Sequence, residues 1–401
     1  MKTFNAIDDL SIFGAPPAFT TPLHVGRPNI GNRDVLITRI NEMLDNAWLT
    51  NNGPFVRQFE SMIAGYLGVK HCVAICNGTV ALEIAIRALE LKGEVIVPSF
   101  TFIATAHALQ WQEITPVFVD IEPSTHNIDP DSVIRMITPR TSGIIGVHLW
   151  GRPCNIEALQ SIADQQRLAL MFDASHAFTC THHGKKIGNF GNCEVFSFHA
   201  TKFFNSFEGG AVVTNDDELA AKIRLMKNFG FSGYDNVIYP GVNGKMTEVC
   251  AAMGLTNLES LDYFRSINKR NYDIYKQRLG NIRSFRLLDF DSTEEYNFQY
   301  VVLELNSLCS IPRDIIIDIL HEEKILARKY FWPGCHKMLP YRAYYPHSGL
   351  LLPNTQSIAQ RIIVLPTGAS VTPNHINIIC DILHFVDTHS EVIISRLASA
   401  A

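Results

Sequence analysis

The sequence predicts an α/β protein, a large domain on a mostly parallel sheet followed by a smaller C-terminal α+β domain. Three observations point there. Short apolar runs alternate with amphipathic helical stretches between Cys72 and Thr214. Most of those runs are apolar at consecutive positions, the mark of strands buried on both faces of a sheet with helices on each side. Beyond about residue 255 the alternation gives way to a long helical stretch and a mixed region.

The elements follow in chain order. Residues 31–68 read as helical, with Val35, Ile40, Met43 and Leu44 at helical spacing, interrupted by the loop chemistry of Trp48-Leu49-Thr50-Asn51-Asn52-Gly53-Pro54. The predicted strands are His71–Cys76, Glu94–Val97, Pro116–Asp120, Ile144–Leu149, Leu168–Phe172, Cys193–Phe198 and Ala211–Thr214, with helices such as Val80–Leu91 and Ile156–Gln166 between them. A helix over Asn257–Gly280, a strand over Phe298–Leu305, a helix over Pro312–Glu323 and a loop over 330–353 rich in Pro, Tyr and His complete the chain. The resulting division is an N-terminal segment 1–30, a large domain 31–256 and a small domain 257–401.

Composition narrows the function. A hydrophobic fraction of 47% over 401 residues supports a substantial core. The net charge of -5, without a basic run, argues against nucleic acid as a partner. No apolar run reaches ~18 residues, and Met1-Lys2-Thr3-Phe4 does not open a signal peptide, so neither a membrane span nor export is expected. The nine cysteines are scattered without a CxxC pair, which fits free thiols in a reducing cytoplasm. No metal site is expected; His182 and His183 are adjacent and read as a polar loop.

Three stretches carry chemistry. Cys76-Asn77-Gly78-Thr79 follows a strand and opens a helix, where free backbone N–H groups and the helix dipole bind phosphate. A purely steric need for glycine in such a turn is the competing explanation. Asp173, in Met171-Phe172-Asp173-Ala174-Ser175-His176, ends an apolar run, the place where ligands bind in open α/β sheets. A carboxylate there can hold a protonated pyridine nitrogen and make the ring an electron sink; equally, it can cap the next helix. Lys202 follows the strand through Phe196-Ser197-Phe198 and is followed by Phe203 and Phe204. Burial lowers a lysine's pKa, and a neutral amine can form a Schiff base, although isolated lysines are ordinarily solvated. The order along the chain, phosphate loop, acid and then lysine, each at a strand end, favours the chemical reading of all three.

At this point the sequence resembles the DegT/DnrJ/EryC1/StrS family of pyridoxal-phosphate (PLP) dependent sugar aminotransferases, of fold type I, along nearly the whole chain. The matching stretches include Val25-Gly26-Arg27-Pro28, Trp48 to Pro54, Asn77 to Leu82, Val97 to Thr105, Asp173 to Ala177, the lysine segment, and Gly241-Val242-Asn243-Gly244-Lys245-Met246-Thr247-Glu248. The resemblance implies PLP as cofactor and Lys202 as the catalytic Schiff-base lysine and proton shuttle. Asp173 would pair with the pyridine nitrogen, Phe102 would stack on the ring, and His176 would lie near its phenolic oxygen. Gly78, Thr79 and Ser197 would hold the phosphate, with Asn243 reaching it from the neighbouring subunit of a homodimer. Core packing is the alternative for Phe102. Glu208, in Phe-Glu-Gly-Gly, would face the sugar or simply form the turn.

Finer features of the resemblance bear on the reaction. Family members that act as dehydratases carry histidine at the position of Lys202, so the lysine favours transamination over that chemistry and over a non-catalytic regulator. Ser-Phe-His-Ala-Thr-Lys with Phe-Glu-Gly-Gly, and Tyr330-Phe331-Trp332-Pro333-Gly334-Cys335-His336, resemble the branch that aminates C4 of dTDP-4-keto-6-deoxyglucose. That places Phe331 and His336 among the expected substrate contacts. Lys245 joins them, although many relatives have arginine in this loop; lysine keeps the charge and loses the bidentate geometry. The implied substrates are a dTDP-linked 4-keto-6-deoxy sugar and L-glutamate. The implied product is dTDP-4-amino-4,6-dideoxy-D-glucose, for surface polysaccharide such as O-antigen or for a decorated secondary metabolite. C3 amination, or amination of another nucleotide-linked keto sugar, is the alternative.

Overall fold

In the computed structural model, which describes residues 2–400, a seven-stranded sheet forms the centre of the large domain. Its strands are β1 (His71–Ile75), β2 (Glu94–Pro98), β3 (Thr115–Val119), β4 (Thr141–Val147), β5 (Ala169–Asp173), β6 (Cys193–Ser197) and β7 (Gly210–Thr214). The order across the sheet is β1-β7-β6-β5-β4-β2-β3. All neighbours are parallel except β7, which runs antiparallel to both β1 and β6.

The consecutive apolar runs are explained by burial on both faces. Along β1, Cys72 and Ala74 face one apolar layer while Val73 and Ile75 face the other; Ala211 and Val213 oppose Val212 in the same way along β7. The first layer is closed by the helices Pro54–Leu67 and Ile156–Gln166, through Phe55, Phe59, Ile63, Leu159 and Ile162. The second is closed by Gly78–Ala88 and Asp217–Met226, through Ala81, Leu82, Ala85, Leu219 and Ile223.

A three-stranded antiparallel sheet, Phe285–Leu287, Val301–Leu305 and Ile362–Leu365, carries the small domain, with the helices Arg313–Glu322 and Pro373–Thr388. The N-terminal segment is not a separate unit, because Leu10, Phe19 and Leu23 belong to this domain's apolar core. Leu23–His24 pairs in parallel with Ile325–Leu326, and the buried Glu323 carboxylate accepts from Lys2 Nζ at 2.8 Å, Ser11 N at 2.8 Å and Ala18 N at 2.7 Å. The long helix predicted over Asn257–Gly280 is the end of Glu248–Leu258 plus a separate helix, Leu261–Leu279. The second of these joins the domains, since Leu261 and Phe264 sit in the large-domain core and Tyr275 and Leu279 in the small one.

One buried acid shows how the loop Trp48–Pro54 is fixed. The helix Pro54–Leu67 starts from Gly53, which has no side chain to cap it. Glu248, fully buried, does that work from another helix, accepting from Phe55 N at 2.8 Å and Val56 N at 3.0 Å. A Cβ on Gly53 would stand 2.4 Å from the Glu248 carboxyl carbon, so the glycine is required by the close approach. Glu248→Ala strands two buried N–H donors and should cost on the order of 2 kcal/mol or more. The expected result is a lowered thermal unfolding midpoint, with Glu248→Gln, which keeps one acceptor, falling between the two.

Candidate active site

The carboxyl ends of β1, β2, β4, β5 and β6 open onto one cavity of about 630 Å³. Its floor is set by a backbone contact. Gly210, paired with Ile75 on one side and Ser197 on the other, lies directly beneath the turn after β1. A Cβ on Gly210 would stand 2.7 Å from the Asn77 carbonyl carbon, and one on Gly78 would stand 2.8 Å from Ser197 Cβ. Both glycines are therefore needed sterically, and the same closeness brings Ser197 beside the start of the helix Gly78–Ala88. Asn77 caps that helix by accepting from Val80 N at 2.8 Å. The Gly78 and Thr79 N–H groups occupy the first turn, where no intrahelical partner exists, and both residues line the cavity. The result is a cup of N–H and hydroxyl donors suited to an anion.

Asp173 is the last residue of β5, buried at 5% exposure. Its Oδ2 accepts from Thr105 Oγ1 at 2.9 Å and its Oδ1 from Ser175 N at 3.1 Å. Thr105 is in turn in contact with Thr101 Oγ1 at 3.3 Å. The carboxylate is thus oriented before any ligand arrives. It does not cap a helix, since the residues after it form turns.

Lys202 lines the same cavity, held by a turn in which its N–H donates to His199 O at 2.9 Å. Its ammonium pKa is pushed down to about 8 by desolvation, with the charges of Asp173 and Tyr330 pulling the other way. His176 is also buried. Its Nε2 faces Tyr300 Oη at 3.3 Å, and its pKa is held well below the usual range by burial first and the Lys202 charge second, so the ring is neutral. Phe331 lies nearly parallel to His176, with centroids 5.9 Å apart and planes at 13°, and Trp150 and Tyr330 extend the stack on Phe331. Phe102 stands in the cavity wall with 55% of its surface exposed, so core packing does not explain it. It is an open aromatic face in the cavity that Asp173 and Lys202 also line. Glu208 lines the mouth, its carboxylate 3.5 Å from His199 Nε2.

Nine of the expected residues, Gly78, Thr79, Phe102, Asp173, His176, Ser197, Lys202, Glu208 and Phe331, line this cavity. Three do not. His336 is buried behind it, its Nδ1 2.7 Å from Ser99 Oγ, so it braces the loop that carries Phe102 and is not exposed to a substrate in the cavity. Asn243 and Lys245 lie on the strand-like edge beside β1, where Cys76 N donates to Gly244 O at 2.7 Å. Lys245 Nζ bonds Asn228 Oδ1 at 3.0 Å in a separate polar depression with Arg224 and Lys227. Tyr300, Tyr330 and Thr105 are additions that the sequence did not single out. Thr105 was within reach, three residues past Phe102 in a stretch already read as part of the pattern. Both tyrosines come from the small domain; Tyr330 heads the stretch that resembles the C4 branch, while Tyr300 carried no local signal.

An anion cup, a fixed acid, an open aromatic face and a lysine with a lowered pKa around one cavity are the donor set of a PLP-dependent aminotransferase of fold type I, and these residues fit that cofactor. The family comparison agrees: the chain belongs to the DegT/DnrJ/EryC1/StrS aminotransferase family, whose model matches residues 32–384, and whose members use pyridoxal phosphate. Among its relatives, the dTDP-4-amino-4,6-dideoxy-D-glucose transaminase of Shigella dysenteriae is 37% identical over 88% of this chain and 95% of its own length. The GDP-perosamine synthase of Caulobacter vibrioides is 37% identical over 75% of this chain and 82% of its own. Among solved structures, DesI in the presence of its TDP-sugar product superposes with a TM-score of 0.94 at 46% identity, covering 98% of this chain and 100% of that one.

The lowered lysine pKa makes a directional prediction. Below about pH 8 the Lys202 amine is mostly protonated and cannot attack a carbonyl; above it, the neutral amine dominates. The rate at which apoenzyme takes up pyridoxal phosphate should rise about tenfold per pH unit below pH 8 and level off above it. Because the Asp173 charge raises the lysine's pKa, Asp173→Asn should move that midpoint down. Stopped-flow absorbance across a pH series reads both.

Proposed function

We propose that the chain transfers the amino group of L-glutamate to C4 of dTDP-4-keto-6-deoxy-D-glucose, giving dTDP-4-amino-4,6-dideoxy-D-glucose. The observation that carries this reading is the likeness to DesI and its TDP-sugar product over essentially the whole of both chains, supported by the named transaminase relatives.

Pyridoxal phosphate, when bound, supplies an electron sink that stabilises negative charge on the carbon next to the transferred nitrogen. The residues around it do the rest. The Gly78 and Thr79 N–H groups and the Ser197 hydroxyl hold its phosphate, with Asn243 of the neighbouring subunit completing that grip in a homodimer. Asp173 keeps a proton on the ring nitrogen by offering it a fixed carboxylate. Phe102 would offer its open face to the ring and exclude water there. Neutral His176 would serve as a hydrogen-bond partner to the cofactor without adding charge. Lys202 Nζ takes the proton from the α-carbon of glutamate in the first half-reaction and delivers one to sugar C4 in the second. One amine serves both steps because its pKa lies near working pH. Glu208, at the mouth, faces the sugar, Phe331 packs on it, and Lys245 reaches the diphosphate from the partner subunit. The free thiols fit a cytoplasmic enzyme.

A second reading, amination of a GDP-linked 4-keto sugar, is favoured by the GDP-perosamine synthase relatives. The two separate in one experiment. Purified protein with pyridoxal phosphate, L-glutamate and either dTDP- or GDP-linked 4-keto-6-deoxy sugar is followed by mass spectrometry and NMR. An equatorial amine at C4 formed at higher kcat/KM from the dTDP sugar is expected. Preference for the GDP sugar, or an amine at C3, overturns the assignment. Lys202→Ala should abolish turnover while pyridoxamine phosphate still binds; undiminished turnover would remove Lys202 from the reaction.

A further inference from the structure

The residue that follows Lys202 is gripped through both of its peptide groups. Phe203 N donates to Gln299 Oε1 at 2.9 Å, and Phe203 O accepts from Asn29 Nδ2 at 2.9 Å. Asn29 itself is held: its carbonyl accepts from Asn205 Nδ2 at 2.8 Å and from Asn257 Nδ2 at 3.4 Å, and Asn257 Nδ2 also donates to Asn205 O at 2.8 Å. Asn257 Oδ1 accepts from Gly31 N at 2.8 Å. All four amides are buried, with Asn205 and Asn257 at 0% exposure and Asn29 at 4%. Gly26 lies against the same loop so closely that a Cβ would stand 2.9 Å from Thr201 O. Side chains and backbone of the segment Val25–Gly31 therefore touch the residues immediately before and after the lysine.

Folding alone does not call for this arrangement. Phe203 and Phe204 already anchor the loop in the large-domain core. What an apolar anchor cannot do is fix the direction of a peptide plane; directional amide bonds do, Gln299 on the Lys202–Phe203 plane and Asn29 on the Phe203–Phe204 plane. The network holds no ionisable group, so its geometry does not change with pH. Its far end leads to the small domain, where Leu23–His24 pairs with Ile325–Leu326. Gln299, the opposite jaw, precedes Tyr300, which lines the cavity.

We propose that Asn29, held in place by Asn205 and Asn257, and Gln299 on the opposite side are positioning residues that grip Phe203 through the two peptide groups flanking its Cα and thereby set where Lys202 Nζ points. This rests on the reading of Lys202 as the lysine that binds the cofactor. Displacing a reacting group by ~1 Å costs about a hundredfold in rate, so a loosened clamp is read in turnover and in the lysine's own titration.

The test compares wild-type, Asn29→Ala and Tyr275→Phe holoenzymes. Tyr275 Oη donates to Pro366 O at 2.9 Å inside the small domain, away from the cavity, so its loss controls for stability alone. The readouts are the pH titration of the visible absorbance of the lysine-bound cofactor, kcat and KM for L-glutamate, and the thermal midpoint. Asn29→Ala should shift the titration midpoint by about half a unit or more and lower kcat about tenfold to a hundredfold. Its KM should stay within about threefold. Tyr275→Phe should melt earlier and otherwise match wild type. Asn29→Ser is read in the same way if the alanine variant does not fold. A wild-type titration and kcat in the Asn29 variants, or equal shifts in Tyr275→Phe, overturn the proposal. Borohydride reduction of the wild type, followed by peptide mapping, tests the underlying reading separately: cofactor fixed on any residue but Lys202 rejects that reading, whatever the Asn29 variants do.

Discussion

The close backbone approach of Gly210 to the Asn77–Gly78 turn is the contact on which the site depends. Gly210 sits between β1 and β6, so the single antiparallel strand of the sheet stitches the anion cup to the strand that leads to the lysine. Any side chain there would push the cup away from Ser197, and the N–H donors of the first helical turn would no longer meet a hydroxyl from the next strand. Parallel neighbours on the other side then deliver Asp173 one strand further along, at the end of β5. The spacing of the site is thus the spacing of strands in a sheet, ~4.8 Å per step, and needs no long or adaptable side chain to bridge it.

Within that frame each functional group is held by a neighbour that takes no part in the chemistry. Thr105 and Ser175 N fix Asp173, a stack of parallel aromatic rings fixes His176 and Phe331, and Ser99 with His336 secures the loop that presents Phe102. His336 is neutral, its pKa pushed down to about 4 by burial, so it can hold Ser99 without placing a charge behind the aromatic wall. These contacts supply the order that a bound ring and phosphate need.

The large-domain strands and the three chemical stretches were legible in the sequence because their signals are local. Two-sided burial leaves a continuous apolar run, and a strand end followed by Asn-Gly-Thr, Asp or Lys places a polar group where ligands bind. Most strand limits slipped by a residue or so, the strand expected over Ile144–Leu149 lies two to three residues earlier at Thr141–Val147, and Asp173 proved to be the last residue of β5 and not the first after it. What was not legible is set by distance along the chain. Glu248 caps a helix that starts nearly two hundred residues earlier. His336 belongs to a stretch that resembles a substrate loop, yet only its Phe331 and Tyr330 reach the cavity while the histidine turns back toward Ser99. Residues 2–24, which carry no periodic pattern, are built into the small domain, with the buried carboxylate of Glu323 holding Lys2, Ser11 and Ala18.

The same separation explains why the loop around Asn243 and Lys245 stands apart from the cavity of its own chain. It lies against the outer edge of β1 at the strand's last residue, bridged to Ile75 through Lys245, and neither Asn243 nor Lys245 lines the cavity. Nearby, Phe229, Tyr234, Val237, Ile238 and Val242 leave large apolar surfaces exposed. Single exposed hydrophobics are ordinary, but a cluster of this kind has the character of an interaction surface, which is what the proposed homodimer requires. A second copy seated there would bury these residues and carry Asn243 and Lys245 toward its own cavity, so the homodimer and the sharing of active sites stand or fall together.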